Sequence, residues 1–214
     1  MANSESSGNP TIQPLENGPY KVSGLEELTN SKGDTLAAKP TMFLCRCGGS
    51  GNKPFCDGTH KANGFSSAKV TDGSSDRRDN YAGKEMTVHD NRGICAHAGY
   101  CTDQLASVFK LGTEPWIDPD GASPDEIAAA AKKCPSGALS HSIDGTEHGD
   151  QEREPAIMVA KDGPFHVTGR VEMDEPRAEG ASEEHYTLCR CGGSKNKPFC
   201  DGTHWDIKFT DEQN

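Results

Sequence analysis

Apolar residues in this chain come in short runs broken by turns rather than in long stripes. After Asn17-Gly18 the run Tyr20-Lys21-Val22 predicts a turn and a short strand, and Phe165-His166-Val167 after Asp162-Gly163 predicts the same again. Each is followed by an extended approach, Thr41-Met42-Phe43-Leu44 or His185-Tyr186-Thr187-Leu188, into a Cys-x-Cys loop. The middle of the chain has a different texture. Glu85-Met86-Thr87-Val88-His89 reads as a strand, a helix is expected through Leu105 and Val108, and Ala138-Leu139-Ser140-His141-Ser142-Ile143 as a returning strand. A second helix is better marked: Ser123 can cap it, Pro124 suits its first position, and Glu126 completes a capping box before Ile127, the alanines and the stop at Cys134-Pro135. Residues 1–10, 66–79 and 144–154 are polar, Gly-rich or charge-rich and read as a tail and two linkers.

The outer segments are copies of one another. Gly18-Pro19-Tyr20-Lys21-Val22-Ser23-Gly24 is echoed by Gly163-Pro164-Phe165-His166-Val167-Thr168-Gly169, at nearly the same distance before each Cys-rich loop. Residues 11–65 and 155–212 are therefore expected to be two small β-rich domains, each with at most one short helix after its third Cys. Residues 80–143 form a third, inserted unit, and the fold class is α+β.

Composition narrows this further. Only 32% of the 214 residues are hydrophobic and the mean hydropathy is -0.75, so no single large core is expected. Metal bound only by the folded state would supply missing stability, and the metal-free chain should be largely unfolded. A net charge of -11 argues against a nucleic-acid surface. The chain has no apolar run of membrane-spanning length, and its start, Met-Ala-Asn-Ser-Glu, has neither the basic nor the apolar part of a secretory signal. Nine cysteines would leave one over in a disulfide framework, which points to a reducing compartment, the cytoplasm.

The chemistry lies in those cysteines. The sixteen residues from Cys45 to His60 return from Cys189 to His204 with one change, Gly51 to Lys195. Each copy offers three thiols and one imidazole, namely Cys45, Cys47, Cys56 and His60, then Cys189, Cys191, Cys200 and His204. Structural zinc is the plain alternative for such a set. Zinc knuckles, however, usually bring their ligands from two separate turns, and here all four come from one loop and a helix start.

The run Cys56-Asp57-Gly58-Thr59-His60, with Cys200-Asp201-Gly202-Thr203-His204, resembles the CDGSH iron-sulfur family. Ser50 and Ser194 three after the second Cys, and Pro54 and Pro198 two before the third, extend the likeness, while Thr replaces the usual Ser. The resemblance implies a 2Fe-2S cluster in each copy, with Cys45 and Cys47 (Cys189 and Cys191) on one iron and Cys56 and His60 (Cys200 and His204) on the other. It also implies that the two copies pair about a pseudo-twofold axis within one monomer. A neutral imidazole in place of a thiolate raises the potential above that of an all-Cys cluster. Its free nitrogen suggests proton-coupled reduction at His60 and His204, and its lability suggests cluster donation. Gly48-Gly49 and Gly192-Gly193 are expected to fold over the sulfides, Asp57 and Asp201 to cap the next turn, and Lys53 and Lys197 to be solvated.

Three cysteines remain, Cys95, Cys101 and Cys134, all in the middle segment. The Ile94-to-Cys101 run and Cys134-Pro135-Ser136-Gly137 resemble the divergent mono-cluster 4Fe-4S ferredoxins, with Ala98 where a further Cys is usual. The resemblance implies a 3Fe-4S cluster on three thiolates, or a 4Fe-4S cluster whose fourth iron takes His97, water or another group. His89, His141, His148, His166 and His185 lack ligand spacing, and Trp116 reads as packing. With no nucleotide loop and no nucleophile elbow, an enzyme with its own organic cofactor is not expected. Electron transfer between redox partner proteins is the favoured function, and cluster storage or delivery to apo acceptors is the alternative.

Overall fold

The computed structural model describes residues 9–70 and 76–214, so the start of the expected tail and the middle of the first linker lie outside the described residues. The fold is rich in sheet, with few and short helices. Copy 1 contributes β1 (Thr11–Pro14), β2 (Tyr20–Ser23), β3 (Glu27–Thr29) and β4 (Thr41–Leu44). The middle segment contributes β5 (Arg78–Ala82), β6 (Thr87–Asn91), α1 (Tyr100–Gln104), α2 (Pro124–Ala131), β7 (Leu139–Ile143) and β8 (Thr146–His148). Copy 2 contributes β9 (Ala156–Val159), β10 (Phe165–Thr168), β11 (Glu172–Met173), β12 (Tyr186–Leu188) and α3 (Thr203–Asp206).

Both turns form as the sequence predicts, with Asn17 and Asp162 in the left-handed region at φ 46 and 47. β2 and β10 then run antiparallel to β1 and β9 and to β4 and β12. Alternation sets which side chains go inward: Tyr20 and Val22 of β2, Phe165 and Val167 of β10, all fully buried.

The copies do not build separate sheets. After Gly24 (φ 72), β3 crosses to copy 2 and pairs in parallel with β9; after Gly169 (φ 79), β11 crosses to copy 1 and pairs in parallel with β1. The sheet orders are therefore β11-β1-β2-β4 and β12-β10-β9-β3, each holding one strand of the other copy. This exchange corrects the expectation of no single large core. Ile12, Leu28, Leu44, Ile157 and Leu188 belong to one connected buried cluster that also takes in Val88, Phe109 and Ile127 of the middle segment. Pooling strands lets short chains share a core that neither copy could enclose alone.

In the middle segment the sheet order is β5-β6-β7-β8, and α2 packs on β7. The capping box forms in full, since Ser123 Oγ accepts from the Glu126 N–H and the Glu126 carboxylate accepts from the Ser123 N–H. The helix expected through Leu105 and Val108 is corrected: α1 ends at Gln104, and Leu105 already leaves helical geometry. The cause is packing, because Val108 and Phe109 turn into the core and Phe109 bridges to Ile117.

Candidate iron-sulfur sites

Each Cys-rich loop hangs from the end of β4 or β12. The Cys45 N–H donates to Pro54 O at 2.7 Å and the Cys56 N–H to Phe43 O at 2.8 Å, so the loop closes on its own strand. Ser50 Oγ donates to Phe55 O at 2.6 Å and accepts from the Asn52 N–H; Ser194 does the same with Phe199 and Asn196. A hydroxyl at this position ties the loop across its waist. Asp57 accepts from the Thr59 and Gly51 N–H groups, and Asp201 from those of Thr203 and Lys195. The Thr59 side chain first, then these backbone N–H bonds, hold the Asp57 carboxyl well below the usual carboxylate range. Lys53 and Lys197, expected to be solvated, instead donate back to Ser50 O and Ser194 O, and Lys197 is buried.

The four donors of each copy come as two pairs. Cys45 Sγ lies 3.9 Å from Cys47 Sγ, and Cys56 Sγ lies 3.4 Å from His60 Nδ1. In copy 2 the separations are 3.6 and 3.4 Å. Two sulfurs on one tetrahedral metal sit about 3.8 Å apart, and sulfur and nitrogen about 3.5 Å. Each pair thus fits one metal atom. Among the described residues no three His, Cys, Asp or Glu side chains converge on a single ion. A donor set divided two by two suits a two-metal core better than one zinc ion. The Gly49 and Gly193 N–H groups point at Cys47 Sγ and Cys191 Sγ at 3.4 Å, as groups that stabilise bound thiolate should.

Gly48 and Gly192 serve another purpose than the one expected. Cys47 and Cys191 form a β-bridge, so the two loops meet back to back. A Cβ on Gly48 (φ 75) would lie 2.5 Å from Cys191 O, and one on Gly192 (φ 80) 2.7 Å from Cys47 O. The first glycine of each pair lets the other copy's backbone approach.

Three groups of this neighbourhood escaped the sequence reading. Arg190, between Cys189 and Cys191, is buried and donates to Gly163 O, Ala160 O and Asp211. Arg46 occupies the equivalent place, donating to Leu15 O and lying over the Tyr20 ring. The recurrence of Arg inside both Cys-x-Cys motifs was the available signal. Tyr20 Oη donates to Cys189 O at 2.8 Å and Pro198 O at 2.9 Å, so copy 1 holds the loop of copy 2. Its counterpart, Phe165, has no hydroxyl and meets Tyr20 edge-on at 6.1 Å.

In the middle segment Cys95, Cys101, Cys134 and His97 line one cavity of about 260 Å³. Arg92 Nη1 donates to Cys95 Sγ at 3.7 Å, and Cys134 Sγ lies 3.4 Å from Ser136 Oγ. The sequence reading also passed over Asp90, a buried carboxylate on the same wall. Burial raises its carboxyl to about 7 against the pull of nearby Arg92. Burial pushes thiols up as well, Cys45 to about 11 and Cys95 to about 12, so without metal these groups carry their protons. His97 sits exposed at the cavity's rim in the left-handed region, φ 53, with its ring against Gly202 of copy 2.

The comparisons agree with this chemistry. Residues 17–61 and 162–205 match the family described as iron-binding zinc finger CDGSH type, and residues 81–144 match the divergent 4Fe-4S mono-cluster family. Paired donors in two such loops and three cysteines around one cavity define an iron-sulfur protein. The chain belongs to the CDGSH iron-binding family, with a divergent 4Fe-4S mono-cluster domain between its two CDGSH regions. It is also similar to the uncharacterized protein YjdI of Escherichia coli K12, 36% identical over 61 residues, which are 28% of this chain and 80% of that protein. YjdI of Escherichia coli O157:H7 matches to the same extent. No solved structure matches the chain.

Proposed function

We propose that this protein is a three-cluster electron carrier, working between redox partner proteins in a reducing compartment, the cytoplasm. Its two CDGSH regions form one pseudo-twofold unit, and residues 80–143 form an inserted ferredoxin-like unit. The observation that carries this reading is the division of each donor set into a Cys/Cys pair and a Cys/His pair at single-metal separations. Cys45, Cys47, Cys56 and His60 would hold one 2Fe-2S cluster, and Cys189, Cys191, Cys200 and His204 the other. Cys95, Cys101 and Cys134 would hold a cluster of three or four irons, with His97 at its rim. When bound, such clusters supply one-electron redox chemistry.

The chain's own part is to hold, insulate and connect. Gly49 and Gly193 N–H groups and Arg92 offset thiolate charge, and the Cys47–Cys191 bridge keeps the two outer sites in backbone contact. His60 and His204 face their cysteines through Nδ1, which leaves Nε2 to take or release a proton and makes the potential pH-sensitive. All nine cysteines are free, as this role requires, and among the described residues no helix is long and apolar enough to cross a membrane.

Cluster delivery is the second reading, and one observation favours it at copy 1. Cys56 and His60 are half-buried, whereas Cys200 and His204 are 2% and 4% exposed. Stopped-flow reduction of the loaded chain separates the two. Reversible one-electron cycling with constant iron content supports the carrier, and loss of iron to an apo-ferredoxin without electron flow supports delivery.

A further inference from the structure

The two Cys-rich loops are nearly identical in sequence and sit in different surroundings. In copy 2 the loop is roofed by the middle segment. Asn196 Nδ2 donates to Gly93 O and to Asp76 Oδ1, both at 2.6 Å, and a Cβ on Gly202 would lie 2.9 Å from the His97 ring. Asn196 is 1% exposed as a result. In copy 1 the same positions are Asn52 and Gly58. Asn52 is exposed, with no side-chain partner among the described residues, and a Cβ on Gly58 would meet nothing within 4 Å. Among the described residues only the loop's outer edge is matched: Gln213 donates to Gly51 O much as the Val70 N–H donates to Lys195 O. Among the described residues, the contact missing from copy 1 is the one that the cavity-bearing unit makes together with Asp76 just before it.

We infer that the Asn52–Gly58 face of copy 1 is a docking site for a separate ferredoxin-like iron-sulfur protein, seated as the middle segment is seated on copy 2. The inference rests on the carrier reading above. The seated segment shows what the face accepts: a backbone carbonyl opposite the Asn amide, and a flat ring or small loop over the Gly. A second copy of this chain is disfavoured as occupant, because its own Gly93–His97 edge is already covered by its own copy 2. Docking there would place the partner against half-buried Cys56 and His60, the outer site that the middle segment leaves uncovered.

The test uses the loaded full-length chain and a mono-cluster 4Fe-4S ferredoxin as probe, with binding read by biolayer interferometry and contacts by lysine cross-linking. Binding is expected, with cross-links at exposed Lys61. Asn52→Asp, which sets a carboxylate against the partner's carbonyl, should weaken it about tenfold, while Thr113→Ala at an exposed position of the middle segment leaves it unchanged. No binding at about 1 mM probe, cross-links confined to other faces, or an unaffected Asn52→Asp variant would each overturn the inference. Sedimentation showing self-association that Asn52→Asp abolishes would replace the named partner by a second copy and overturn it too. Iron, sulfide and reversible bleaching are measured on the same sample. Normal values without binding remove this inference alone, and absent clusters remove the carrier reading.

Discussion

Replacing Gly48 with Ala tests whether the two Cys-rich loops meet in solution, and Gly58→Ala is its internal control. Both glycines have left-handed backbone, φ 75 and 92, so Ala costs about 1–2 kcal/mol at either. The positions differ in space. At Gly48 the new Cβ lies 2.5 Å from Cys191 O and 2.9 Å from Cys191 C, whereas at Gly58 it is free. Backbone atoms must move apart to admit it, and overpacking of that kind costs about 1–3 kcal/mol more. For a chain of this length an extra ~2 kcal/mol lowers the midpoint by about 4–8 °C. Thermal melts of the loaded protein, followed by visible absorbance and calorimetry at one scan rate, give the comparison directly. Gly48→Ala should melt well below Gly58→Ala, and Gly192→Ala should behave like Gly48→Ala. Midpoints for Gly48→Ala and Gly58→Ala within about 1 °C of each other would refute the Cys47–Cys191 contact and the joined arrangement with it.

Three other perturbations have defined outcomes. Tyr20→Phe leaves Cys189 O without its Tyr20 donor, while Pro198 O keeps the Cys189 N–H, at a cost of about 1–2 kcal/mol, so copy 2 should lose iron to a chelator faster while copy 1 keeps its rate; equal acceleration of both copies would contradict it. The potential of copy 1 should fall as pH rises, by up to about 59 mV per unit, because reduction favours the proton on the half-buried His60. Copy 2 should respond less, since burial and His97 nearby lower the pKa of His204 despite Asp201 and Asp206; two flat profiles between pH 6 and 9 would remove the proton coupling. Burial also holds His89, His141, His166 and His185 below the usual histidine range, His166 at about 4. The unfolded chain then binds protons that the folded one refuses, so stability should drop as pH falls from about 6.5 toward 4. Urea midpoints that stay level across that window would contradict this.

Local chemistry was legible in the sequence. The turns at Asn17 and Asp162, the strands at Tyr20 and Phe165, and the capping box at Ser123 all rest on neighbours in the chain, and all form. So were the two four-donor sets, because each Cys-x-Cys, third Cys and His fall within one sixteen-residue stretch, whereas their division into a Cys/Cys and a Cys/His pair was what the CDGSH resemblance implied. What stayed hidden depends on the other copy. β3 and β11 are three and two residues long, and their partners lie across the molecule, so no local pattern announces the exchange. The role of Gly48 was misread for the same reason, since its constraint is Cys191 O and not its own loop. Leu105 and Val108 carry helical spacing, yet the core's demand for Val108 and Phe109 ends the helix first.

The central claim is that paired Cys/Cys and Cys/His donors hold two-iron clusters in both outer loops while three cysteines hold a larger one between them. Iron, zinc and acid-labile sulfide analysis of anaerobically purified protein, with EPR of the reduced sample, measures it most directly. The account predicts about seven or eight irons per chain, matching sulfide, and signals from His-ligated two-iron centres. A folded, colourless protein holding zinc and no sulfide would contradict it.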